Sequence, residues 1–87
     1  MNNVFIFTEM RFFVSNGIDY AMAVSPDDVK VFKSYEGATK ERRRATSFYK
    51  RVRDIVREEK IGVDTDVLHC SNGNRIVLQV TPRPMDD

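Results

Sequence analysis

Tryptophan is absent, cysteine and histidine occur once each, and the 87 residues hold only three prolines and four glycines. One cysteine excludes an intramolecular disulfide, and no metal-ligand spacing of Cys and His exists. A chain this short must then be held together by packing alone, or by packing against a partner subunit. No apolar run is long enough to cross a bilayer. The apolar start, VFIFTEMRFFV, is interrupted by Glu9 and Arg11 and lacks the early Lys or Arg of a secretory signal. A cytoplasmic protein with a reduced thiol is therefore expected. Walker, dinucleotide-binding, nucleophile-elbow and zinc signatures are missing, as are the aromatic strand and GXXG loop of common RNA-binding modules. The expectation is a protein that is not an enzyme and uses neither cofactor nor metal.

What is present is a globular composition: 41% apolar and 31% charged, too apolar for a disordered chain. One domain over residues 1–81 is expected, followed by a short tail, 82–87. Residues 4–14 alternate as a strand. One face carries Val4, Ile6, Thr8, Met10, Phe12 and Val14, and the other Phe5, Phe7, Glu9, Arg11 and Phe13. Eleven residues is long for a strand, which predicts a bulge near residues 8–11. Asn16-Gly17 is a two-residue hairpin turn, and residues 18–24 return as the second strand.

Ser25-Pro26-Asp27-Asp28 has the composition of a helix start, so a short helix is predicted over 26–36, with Val29, Phe32 and Tyr35 inward. A short strand, VKVF, is the competing reading. Gly37 separates this helix from a longer one over 39–60, capped by Thr39 and ended by Gly62. Ala45, Phe48, Tyr49, Val52, Ile55 and Val56 fall within about 120° on that helix and form its expected buried stripe. A second hairpin follows, with strands at 63–70 and 75–81 around Ser71-Asn72-Gly73-Asn74, until Pro82 and Pro84 stop the sheet. The predicted fold class is α+β: β-hairpin, two helices (short, then long), β-hairpin, with a mainly antiparallel sheet and the helices on one face.

The long helical segment also holds most of the positive charge. Nine cations stand against four acids over residues 39–60, a net +5 in a chain of net +1, so the remainder carries −4. Arg42, Arg43, Arg44, Lys50, Arg51, Arg53 and Arg57 are the candidate binding residues. Arginine at so many of these positions suits carboxylate or phosphate recognition, although an ordinary solvated face accounts for much of it.

His69-Cys70 cannot act together as base and nucleophile, because neighbours in a strand point to opposite faces. A packed thiol and a hydrogen-bonded or surface imidazole are expected. Asp64 and Asp66 would share one side of a strand, yet a hard-cation site needs more oxygen ligands than lie nearby. Glu58-Glu59 read as helix-end charges.

Two functional expectations follow. The first is a small regulator or inhibitor that docks on an acidic protein partner through the basic helix, the aromatic-rich first strand, or both. The alternative is nucleic-acid binding, with the cations from Lys40 to Arg57 on phosphates. Against the alternative stands the −4 of the remaining chain, since nucleic-acid binders are usually more basic overall. A homodimer is also expected, because a small sheet rich in Phe would bury more surface against a second copy.

Overall fold

A computed structural model describes residues 3–15, 18–21 and 28–85, and in them the alternating start of the chain forms β1 (Asn3–Ser15). The other elements are β2 (Ile18–Ala21), β3 (Val29–Phe32), α1 (Tyr35–Val52), β4 (Ile55–Ile61), β5 (Thr65–Cys70) and β6 (Arg75–Pro84). The fold is α+β. The strands make one antiparallel sheet in the order β2-β1-β6-β5-β4, with β3 also paired to β1.

β1 pairs with β6 in unbroken register from Asn3↔Pro84 to Phe12↔Arg75. Its other edge is shared by β2, through Phe12↔Ala21, and β3, through Thr8↔Val29. Between those two pairs β1 advances by four residues and the returning chain by eight. The bulge expected in β1 near residues 8–11 is not found, since β1 keeps its register with β6 throughout. The Ser15↔Ile18 pair leaves a two-residue connection; Asn16 and Gly17 themselves lie outside the described residues. So do residues 22–24 of the expected second strand.

The predicted helix over 26–36 is not found. Ser25, Pro26 and Asp27, on which its start rested, lie outside the described residues, and VKVF is the edge strand β3. The alternation of Val, Lys, Val and Phe against β1 prevails there over the local start signal. Among the described residues there is one helix, and it begins earlier than predicted. Ser34 is its N-cap, its side chain accepting from the Gly37 N–H at 3.0 Å, so Gly37 lies in the first turn instead of breaking two helices apart. Glu36 in the first turn and Lys50 and Arg51 in the last suit the helix dipole.

The helix also ends earlier, at Val52, and residues predicted to prolong it form β4. Ile55 and Val56 happen to continue the helical phase, but β4 pairs with β5 from Ile55↔Cys70 to Ile61↔Thr65, with a register shift between Ile55 and Arg57. Gly62 does adopt positive φ, +64°, in the β4–β5 turn instead of at a helix end. β6 continues through Pro82 to Pro84, so the prolines do not stop the sheet at residue 81. They pair with Phe5 and Asn3 at its end.

The core lies between α1 and one face of the sheet. Phe7, Leu68, Ile76, Leu78 and Val80 meet Ala38, Ala45 and Tyr49, with Phe5, Phe32, Ile55 and Cys70 packed around them. Leu68 and Leu78 are completely enclosed, and truncating either to Ala would cost about 3 kcal/mol. Phe5 and Phe7 thus belong to the face under the helix, so the aromatic-rich side of β1 is not a free docking strand. No helix of the described residues is long and apolar enough to cross a membrane.

Candidate functional site

On a 100° wheel the buried residues of α1, Ala38, Thr39, Arg42, Ala45, Thr46 and Tyr49, form one stripe at spacings of three and four. Opposite it, facing solvent, run Lys40, Arg43, Arg44, Ser47 and Arg51, with Phe48 alongside. Two expected core residues are on the wet side: Phe48 is 42% exposed and Val52 46%. Val56, expected beside them, is 64% exposed on β4. The helix instead buries two alanines, two threonines, Arg42 and Tyr49.

The seven cations singled out by sequence do not form one cluster. Arg42 is a correction: it is 6% exposed and points into the protein. Its Nη1 donates to the Val63 carbonyl at 2.7 Å, and its Nε lies 3.8 Å from Asp66 Oδ2. Thr46 Oγ1 donates to the same oxygen at 3.2 Å, while Lys60 Nζ reaches Asp66 Oδ1 at 3.1 Å. Arg42 therefore locks α1 onto the β4–β5 hairpin. Its helical phase, four residues after Ala38 and three before Ala45, was the available signal; its charge obscured it.

Arg57 is the second relocated residue. It sits on β4, where Nη2 contacts His69 Nε2 at 3.2 Å and Glu59 Oε1 at 3.8 Å. Register with His69 places it on the sheet face away from α1. Arg53 lies just past the helix as its C-cap. Arg44 and Lys50 are on the helix surface but engaged, Arg44 by Glu41 and Lys50 by Glu58. These contacts hold the Glu41 and Glu58 carboxyls below the usual carboxylate range.

Lys40, Arg43 and Arg51 remain. All three are exposed, and none makes a hydrogen bond or ion pair with a described residue. Lys40 and Arg51 are eleven residues apart on one side of the rod, roughly 16 Å along the axis. The outward surface therefore carries three cations unneutralised among the described residues, Lys40 and Arg51 next to the half-exposed pair Phe48 and Val52, which are one turn apart, and Arg43 on the other flank.

A separate cleft of about 380 Å³ opens at the C-terminal end of α1, lined by Arg11, Phe13, Tyr49, Arg53, Cys70 and Arg75 among others. Arg11 there is held by Glu9 at 2.9 Å and by Asp28 at 2.6 Å, and Tyr49 donates to Glu9 at 2.5 Å. Burial pushes the Cys70 thiol up, away from the reactive thiolate. His69 is on the opposite sheet face, its Nε2 3.0 Å from Glu59, so it cannot serve Cys70 as a base. Asp64 accepts from the Tyr35 hydroxyl at 2.5 Å in the β4–β5 turn while Asp66 is buried under α1, so the two carboxylates do not converge. No His, Cys, Asp and Glu group among the described residues could hold a metal ion. No protein-family model, curated protein or solved structure matches the chain.

Proposed function

We propose that the protein is a small binding module that docks on an acidic protein partner through the outward side of α1. The observation that carries this reading is the exposure of Phe48 and Val52 on the flank of α1 next to Lys40 and Arg51, which have no partner among the described residues, with Arg43 on the far flank of the same outward surface. Cations alone would serve any polyanion. An apolar pair one helical turn apart adds the kind of anchor that protein interfaces favour, an aromatic flanked by arginines and desolvated on contact. The fitting partner surface carries Asp or Glu spaced to meet the cations, and an apolar recess between them for Phe48. Arg43, Arg44 and Arg51 are the cations from the original seven that remain on this side, with Lys40 added; Lys50 turns towards β4, where Glu58 engages it.

The same cations also fit nucleic-acid phosphates, and the two readings separate on Phe48. Phosphate binding depends on charge and falls steeply with salt, and it does not require an apolar anchor. Wild type, Phe48→Ser and Lys40→Glu/Arg43→Glu/Arg51→Glu are immobilised and exposed to nuclease-treated lysate from the protein's own source. Loss of an acidic partner in both variants supports protein docking. Retention of nothing by wild type, with nucleic-acid binding in a gel shift that Phe48→Ser leaves intact, overturns it in favour of the phosphate reading.

A further inference from the structure

The sheet face turned away from α1 has no layer over it among the described residues, and its chemistry is not that of an ordinary wet surface. Register places Val31, Val29, Val4, Ile6, Thr8, Met10, Phe12, Thr81, Gln79, Val77, Thr65 and Val67 on it. The row Met10–Val77–Val67 is apolar as far as Glu59 on the β4 edge, with Val67 only 6% exposed; the adjoining row, Thr8–Gln79–Thr65, is uncharged but polar, and Ile6 and Val31 lie beyond it. Charge is confined to the margins: Arg83 at one end, Arg57 and Arg75 at the other, and Glu59 on the β4 edge opposite Val67. Arg75 lies over the Phe12 ring with its guanidinium carbon 5.7 Å from the centroid.

From this pattern we infer that the uncovered face is an interface between two copies of this chain, stacked sheet against sheet around a two-fold axis near Val77. Three considerations select a second copy. Five strands abreast at about 4.8 Å and three side-chain rows about 7 Å apart give roughly 500 Å² per copy. A pair therefore buries about 1,000 Å² before side-chain relief is counted, which meets the floor that a specific interface has to clear. The surface is also self-complementary in kind, mostly apolar with one uncharged Thr and Gln row across it and charge at its rim, as a two-fold contact requires. The sheet edges, by contrast, are poor routes to assembly. β4 presents Arg57, Glu58, Glu59 and Lys60, and the opposite edge is two four-residue strands out of register with each other. Two sheets stacked about 10 Å apart would become the inner layers of a four-layer particle, helix–sheet–sheet–helix, with both α1 helices outermost. This inference does not depend on what α1 binds, and it would present that surface twice.

Light-scattering mass at about 100 μM tests it. The single chain is 10.1 kDa. Wild type is expected at twice that mass, and Val77→Lys, at the centre of the face, at the single-chain mass. Since a central lysine could unfold the sheet, Val31→Lys provides the second reading. Val31 is already 63% exposed in the single chain, so this variant folds with an unchanged circular dichroism spectrum and weakens self-association at least tenfold. Lys40→Glu/Arg43→Glu/Arg51→Glu keeps the doubled mass, which separates failure here from failure of the docking reading. Wild type at 10.1 kDa, or Val31→Lys dimerising as tightly as wild type, overturns the inference.

Discussion

Arg42 and Asp66 face each other across the helix–sheet boundary, with Nε and Oδ2 3.8 Å apart and both side chains more than nine-tenths buried. This pair decides how α1 is seated, because Arg42 also binds the Val63 carbonyl and Asp66 gathers Thr46 and Lys60. Removing one member leaves a buried charge short of a partner, whereas removing both leaves an apolar contact. Arg42→Ala is expected to cost about 2–3 kcal/mol, less than the full penalty because Lys60 still reaches Asp66. Arg42→Met/Asp66→Leu should cost less than either single change. Urea unfolding of the three variants checks the order.

Tyr49 supplies an alkaline limit to stability. Its phenol is held above the ordinary value of 10.0, chiefly by burial and next by its hydrogen bond to Glu9. The folded state therefore keeps this proton where the unfolded chain loses it. The associated stability is complete below about pH 10 and is lost as pH rises towards the folded value. Tyr49→Phe should flatten that alkaline decline and cost about 1.5 kcal/mol at neutral pH through the lost bond to Glu9. Thermal unfolding between pH 8 and roughly pH 11 measures both effects.

Acid acts through Glu41 and Glu58. Arg44, and then Lys30, lower the first, and Lys50 lowers the second; both start from an ordinary value of 4.5. With the folded values depressed, the stabilisation is present above pH 4.5 and fades as pH falls through the folded values. The partner side chains are half exposed or more, so each contribution is only a few tenths of a kcal/mol. Glu41→Gln/Glu58→Gln should lose a little stability at pH 7 and show a shallower decline below about pH 4.5 in the same melts.

The outcome at Gly62 shows which signals a sequence carries and which it does not. A positive φ was readable from the glycine, but the element it closed was misassigned, because residues 53–60 are dominated by Arg, Glu and Lys. Those residues favour helix locally, and the same charges also suit a sheet edge. Only pairing with β5 decides between them, and that contact is not local. The two faces of β1 were legible from alternation alone, as was the last hairpin. Arg42 was hidden by the assumption that charge means surface. Phe48 was misplaced because the stripe was counted from apolar residues, whereas the buried side is set by Ala38, Thr39, Arg42 and Thr46. Of the candidate site, the identity of the basic helix was readable; which cations stay free was not, since it depends on Glu41, Glu58 and Asp66 reaching particular partners.

Gly62→Ala isolates that backbone effect. No atom lies within 4 Å of the added methyl, so the cost is the left-handed backbone alone, about 1 kcal/mol. Gly62→Asn should cost less, since asparagine tolerates that conformation, and Gly62→Val more. Chemical denaturation of the three variants gives the ranking.

Photo-crosslinking from the helix surface tests the docking reading most directly. A photoreactive residue at the exposed Ser47, between Arg43 and Arg51, is irradiated in cells of the protein's source, with the same residue at the exposed Asn72 of the β5–β6 turn as the control. The predicted result is a discrete adduct with an acidic protein from position 47 only, resistant to nuclease and abolished by Lys40→Glu/Arg43→Glu/Arg51→Glu. No adduct from position 47, an equal one from both positions, or an adduct that nuclease removes would contradict the account.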